Sequence, residues 1–171
     1  MNPVTSDADI KDIPLADGAS SSQEANRGLH IERKFTTPGS DPLDEVKYEK
    51  RSSRISNTDG STVFEMDGVE VPAGWSQVAT DIVVSKYFRK AGVPQRDENG
   101  EIVEDENGEI VSGPERSVRQ VISRMAGCWR SWGERYGYFS TVQDAQAFED
   151  ELKYMLVRQI AAPNSPQWFN T

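Results

Sequence analysis

A lone thiol, a lone imidazole and a hydroxyl set between two prolines stand out in this 171-residue sequence as groups that could do chemistry. Cys128 is the only cysteine, which rules out an internal disulfide and a thiolate metal cage. Val121 and Met125 precede it at helical spacing, so it is expected on an apolar helix face as a buried structural cysteine. A reactive thiol needs an electropositive, accessible site, and the helical period turns Arg124 and Arg130 elsewhere. His30 has no second histidine and no nucleophile near it in sequence, so a catalytic triad has nothing to be built from. It is expected to be a strand residue facing solvent or a neighbouring element. The aromatic set Trp129, Trp132, Tyr136 and Tyr138 could stack a ligand, although its spacing favours a core or an interface. In "PNSPQWFNT", Pro166 pushes Ser165 toward an extended conformation. That conformation presents the serine hydroxyl and backbone N–H together, which suits a phosphate oxygen. On the residues alone, an ordinary Ser-Pro loop remains the alternative. No P-loop and no dinucleotide fingerprint occurs.

The acidic residues pose a different question. "DENGEIV" stands at 97–103 and again at 105–111. Clustered acids beside glycines can ligate a hard cation, but the alternating spacing of a calcium loop is missing. A solvated hairpin with Asn-Gly turns, or an insertion made by slippage, is the expected reading. Two copies are too few for a repeat fold. Asp97, Glu98, Glu101, Glu104, Asp105, Glu106 and Glu109 account for most of the net charge of −9, which would be −2 without them. That charge argues against a nucleic-acid polymer and against an anionic membrane surface as partners. No apolar run approaches a membrane span, and no basic region followed by an apolar core marks a signal peptide. Cytoplasm is the expected compartment.

Several elements must position these groups. Residues 1–28 mix Ser, Asp, Ala and Gly without a period and are expected to be a disordered tail. "LHIERKF" alternates apolar and polar residues, which predicts a short strand. Two strand-like runs flank "NTDG", with Asp59-Gly60 as a hairpin turn, and Asp67-Gly68 is a candidate second turn. "WSQVATDIVVSKYFRKAG" predicts a first helix with Trp75, Val78, Ala79, Ile82, Val83 and, one turn on, Lys86-Tyr87 on its buried face and Gly92 ending it. A second helix starts at Pro114 and Glu115, buries Val118, Val121, Ile122, Met125, Trp129 and Trp132, and carries Gly127 as a point of close approach. A third helix, capped by Thr141 with Asp144 or by Ser140 with Gln143, buries Ala145, Phe148, Leu152, Met155, Leu156 and Ile160. The expected fold is α+β and mostly helical, a β-hairpin plus about three amphipathic helices.

Three runs carry a resemblance. They are "GLHIERKFT", "GSTVFEMDGVEVPAGWSQVATDIVVSKYFRKAGVP" and "SVRQVISRMAGCWRSWGERYGYFSTVQDAQAFEDELKYMLVRQIAAPNSPQWFNT". Together they strongly resemble the N-terminal region of class II, adenosylcobalamin-dependent ribonucleotide reductases, over roughly residues 28–94 and 113–171. The resemblance implies a helical lead-in domain at 29–162, with 95–112 as an acidic insertion. Residues 163–171 would be the first strand of a large α/β barrel, cut short, so the chain is expected to be a fragment. The family's serine in this segment contacts the substrate phosphate, which makes Ser165 the substrate-binding candidate.

The family's thiyl-radical cysteine, reducing cysteine pair, adenosylcobalamin site and effector sites lie in the barrel, and Cys128 matches none of those cysteines. The implied reaction turns ribonucleotides into 2′-deoxyribonucleotides for DNA synthesis by thiyl-radical chemistry, with this part inactive alone. The implied partners are a ribonucleotide and the remainder of the reductase chain, with a homodimer among the assemblies open to the full-length enzyme. The alternative is a non-catalytic helical interaction module, or a relic, that binds a separate chain.

Overall fold

The computed structural model describes residues 28–97 and 99–171. The disordered tail expected at 1–28 lies outside the described residues except for Gly28. Strands β1 (Tyr48–Ser56) and β2 (Thr62–Pro72) form an antiparallel hairpin closed at Asn57–Ser61, where Gly60 takes φ 85°. The predicted second turn at Asp67-Gly68 is instead a β-bulge within β2. Arg51 pairs with Val69 and Ser53 with Met66, so β2 carries one extra residue there, and Gly68 absorbs it at φ 67°. The bulge lets β2 continue to Val69 and Val71, both fully buried.

Helix α1 (Gln77–Ile82), capped by Ser76, runs directly into a π-turn at Val83–Tyr87. The Phe88 amide donates to Val83 O at 3.0 Å, five residues back. The predicted helix face is corrected. Val78 and Ile82 are 67% and 47% exposed, while Thr80, Val83, Val84 and Phe88 are buried. The helix also ends earlier than predicted, at an extended Phe88, so Gly92 terminates nothing.

Short strands β3 (Val93–Pro94) and β4 (Ser112–Gly113) pair at the base of the acidic duplication. Between them the chain makes two successive hairpin turns. Asp97 accepts from the amides of Asn99 and Glu101, and Asp105 does the same for Asn107 and Glu109. The solvated hairpin is therefore what forms.

Helix α2 (Val118–Arg135) starts at Ser117 rather than at Pro114, because Ser117 and Gln120 make a complete capping box. It ends at Gly137, φ 66°, where Gly137 N reaches Glu134 O and Tyr138 N reaches Gly133 O. Val118, Val121, Ile122 and Met125 are fully buried as predicted, but Trp132 is 46% exposed. Close approach occurs at Gly133, not Gly127. A Cβ on Gly133 would sit 2.3 Å from the Phe139 ring, whereas nothing lies within 4 Å at Gly127.

Helix α3 (Val142–Val157) packs on α2 and is capped by Thr141, whose hydroxyl exchanges hydrogen bonds with Asp144. Ile160, expected on its face, falls beyond the helix and is exposed. The core joins β2, the α1 region, α2 and α3. The order is α+β with the hairpin and helices in sequence, and no described helix is long and apolar enough to cross a membrane.

The segment predicted as a strand at 29–35 is corrected. Only Leu29 makes a bridge, to Phe139. Four backbone amides between Ile31 and Thr36 are instead taken by α3 carboxylates. Ile31 N donates to Asp144 at 2.8 Å, while Lys34, Phe35 and Thr36 donate to Glu151 at 2.9–3.2 Å. Arg33 pairs with Asp150 at 2.7 Å, and Phe35 stacks flat on Tyr154 at 5.0 Å. This strap covers one flank of α3.

Candidate functional site

Ser165 opens helix α4 (Ser165–Phe169), so the extended strand expected at 163–171 is corrected to a short helical turn. The extended conformation falls one residue earlier, on Asn164 at φ −62° and ψ 155°. Pro166 sits in the first helical turn, where a missing N–H costs nothing. Burial of Trp168, only 7% exposed, holds the turn down, and its indole N–H donates to Pro163 O at 2.9 Å.

The Ser165 hydroxyl is exposed and lies 2.8 Å from the Tyr87 hydroxyl. Tyr87 ends the π-turn, and its ring stacks on Trp168 at 5.1 Å and 16° and meets Phe169 at 5.5 Å and 57°. Beside this pair opens an apolar cleft of about 270 Å³, walled by Trp75, Ala79, Val83, Tyr87, Leu156 and Trp168. The Trp75 indole is fixed by a hydrogen bond to Val157 O at 2.8 Å. Gln159, on the rim, has φ 56°, a left-handed conformation that favours glycine.

A buried ion pair holds α4 in place. Arg124 meets Glu115 through Nε–Oε1 at 2.8 Å and Nη2–Oε2 at 3.2 Å, with the two side chains 12% and 2% exposed. The same guanidinium donates to Thr171 O at 2.8 Å and to the Trp168 and Tyr87 carbonyls at 3.3 Å each. Arg89 completes the knot, with its amide on Glu115 and its guanidinium on Thr171 O at 2.9 Å. Such a pair satisfies the fan of donors and acceptors between α2 and α4, and removing one partner would leave a buried charge. Sequence reasoning placed Arg124 off the apolar face and missed this role. Next to the knot, burial pushes the Lys90 ammonium below its ordinary pKa, an effect the Glu115 charge partly offsets. Its Nζ donates to Val84 O at 2.6 Å and sits 4.4 Å from the Phe64 ring centre.

The other sequence candidates are not gathered here. Cys128 is half-buried on α2, more open than expected for a core cysteine. His30 lies at the strap, its Nδ1 3.3 Å from Asp144. Tyr136 and Tyr138 are exposed, with their rings tilted 36° at 6.2 Å. Trp129 and Trp132 do reach α4, lining a shallow cleft of about 210 Å³ with Pro166, Gln167, Asn170 and Thr171. Among the described residues no group of three or more His, Cys, Asp or Glu side chains is placed to hold a metal ion.

A sequence model of the family described as class II vitamin B12-dependent ribonucleotide reductase matches residues 49–159. The chain is similar to the vitamin B12-dependent ribonucleotide reductase of Bradyrhizobium diazoefficiens, 48% identical over 159 residues, covering 84% of this chain and 13% of that protein. The enzyme of the same name from Agrobacterium fabrum is also 48% identical, over 84% of this chain and 12% of its own length. That from Streptomyces coelicolor is 42% identical over 92% of this chain and 15% of its own length. The chain thus spans 12–15% of the length of these relatives.

Proposed function

We propose a role from the family to which the chain belongs, the class II vitamin B12-dependent ribonucleotide reductases: it is the N-terminal, non-catalytic part of an enzyme that converts ribonucleotides to 2′-deoxyribonucleotides. The observation that carries this reading is the match across most of the chain to reductases at 48% identity. In the reaction the ribose loses its 2′-hydroxyl as water, and a dithiol supplies the two electrons and becomes a disulfide. A thiyl radical and a dithiol together need three cysteines, and this sequence has one. Cys128 sits half-buried on α2, away from the residues that line the cleft beside Ser165. The redox cysteines are therefore assigned to the barrel, supplied downstream or by a second polypeptide.

The described residues do not fit adenosylcobalamin. The clefts beside α4 hold about 270 and 210 Å³, below the roughly 300–1,000 Å³ range of drug-sized ligand sites, and a corrinoid is larger. We assign the cofactor to the barrel. Here the chain's own contribution is the Ser165 hydroxyl, which donates to a phosphate oxygen of the ribonucleotide. The α1 region, α2 and α3 hold α4 against the core so that the hydroxyl faces outward.

The test is turnover. The purified chain, supplied with adenosylcobalamin, a dithiol and a ribonucleoside diphosphate or triphosphate, is expected to form no deoxyribonucleotide. Joined to the downstream part of a relative, it is expected to support turnover. Turnover by the chain alone would refute the assignment. A helical module that docks a separate chain is the competing reading, favoured by the exposure of Phe169 beside the cleft. It predicts a stable complex with no reductase activity in any combination.

A further inference from the structure

We propose that Tyr87 is a positioning residue for the Ser165 hydroxyl, setting it as a hydrogen-bond donor toward the substrate phosphate. This rests on the proposed phosphate contact of Ser165 and deepens it. A serine hydroxyl has one proton and two lone pairs, so its role depends on what its neighbour does. The Tyr87 and Ser165 oxygens are 2.8 Å apart, and either can donate. If Ser165 donates to Tyr87, it has no proton left for a ligand. If Tyr87 donates to Ser165, the serine proton is free to point outward. A phosphate oxygen accepts and does not donate, so it selects the second arrangement. The result is a short relay, phenol to serine to phosphate, in which each bond polarises the next.

The geometry holds the phenol where that relay needs it. Its ring stacks on Trp168 and meets the tilted ring of Phe169, and the Trp168 indole is itself tied to Pro163 O. Its carbonyl is held by Arg124, the residue that also anchors the far end of α4. The Tyr87 backbone and the Ser165 helix are thus fixed to one guanidinium. The π-turn supplies the remaining degree of freedom. One extra residue in a helical turn rotates every later side chain by about 100° around the axis. A plain continuation of α1 would set the Tyr87 side chain at a different angle about the helix axis. Wide turns of this kind recur at functional sites.

The test uses this chain joined at Thr171 to the downstream part of the Bradyrhizobium relative, with CDP and CTP assayed in turn. Tyr87→Phe keeps the stacked ring and removes only the hydroxyl, and an unchanged thermal midpoint checks that the stack survives. It is expected to raise KM about 5-fold, one neutral hydrogen bond's worth, with kcat within about twofold. Ser165→Ala is expected to raise KM further, and the double variant to match Ser165→Ala alone. If the enzyme does not turn over, the same comparison is read from equilibrium binding of the nucleotide. An unchanged KM in Tyr87→Phe, or a Tyr87→Phe effect that persists undiminished beside Ser165→Ala, would overturn the role of Tyr87 and leave that of Ser165 intact. An unchanged KM in Ser165→Ala would remove the phosphate reading and this inference with it.

Discussion

The carboxylates of α3 and those of the double hairpin at 97–111 are the same chemical groups in opposite settings. In the hairpin, Asp97 and Asp105 accept from amides two and four residues on, and both are exposed. On α3, Asp144 and Glu151 accept from amides 113–117 residues away, and both are buried. Both sets have carboxyls held below the ordinary range. Amide hydrogen bonds, chiefly from Glu101 and Glu109, lower Asp97 and Asp105. At Glu151 burial pushes the carboxyl up, and bonds from the Thr36 hydroxyl and the strap amides outweigh it. The direction of a pKa shift therefore does not reveal whether an acid holds a turn or holds a fold. Sequence separation of the partners does.

Acid is the broadest way to break this contrast. Asp144, Glu149 and Glu151 have folded pKa values below their unfolded ones, so their stabilisation is present above the unfolded values and is lost as pH falls through the folded ones. Stability is expected to hold from neutral pH to about 5 and to fall below 4.5 for the glutamates and 3.8 for Asp144. Urea melts across pH 3–7 check the fall. Hydrogen exchange locates it, with the Lys34–Thr36 amides losing protection together with the core.

Next in size, Glu151→Ala strips one acceptor from three amides and a hydroxyl. It is expected to cost about 2–4 kcal/mol in urea denaturation, as several bonds to a charged group are lost at once. A change confined to the strap amides, with an unaltered midpoint, would mean the strap is as local as the hairpin. The glycines sharpen the contrast further. Gly133→Ala drives a Cβ into the Phe139 ring that backs the strap's Leu29 bridge. It is expected to cost about 1–3 kcal/mol by overpacking. Gly100→Ala meets nothing within 4 Å and is strained only by φ +83°. It is expected to change global stability by less than about 1 kcal/mol, because the hairpin tip can open alone.

Much of this was legible from residue order. "NTDG" marked the hairpin, and the apolar spacing marked α2 and α3 with most of their buried residues, because turn chemistry and periodicity are local signals. The strap was read as a strand because Leu29, Ile31, Arg33 and Phe35 alternate, and alternation says nothing about which acceptor takes the amides. The α3 acids Asp150 and Glu151 carried no assignment from sequence, because nothing local marks an acid whose partners lie more than a hundred residues away. The bulge at Gly68 and the π-turn at Val83–Tyr87 each add one residue to a regular element, which shifts every later side chain while leaving composition unchanged. At the candidate site, Ser165 was identified through family resemblance, whereas Tyr87 and Arg124 needed the fold. Tyr87 meets Ser165 78 residues on, and Arg124 reaches Tyr87 and Thr171 37 and 47 residues away.

The separation between the strap and α3 also has a consequence in time. At roughly 5–20 residues per second, a ribosome needs on the order of ten seconds to add the chain between Ile31 and Asp144. Through that interval the hairpin and the α1 region have their own partners close in sequence. The strap amides have only water. For those seconds the newborn protein presents a row of backbone donors that its finished form has taken up.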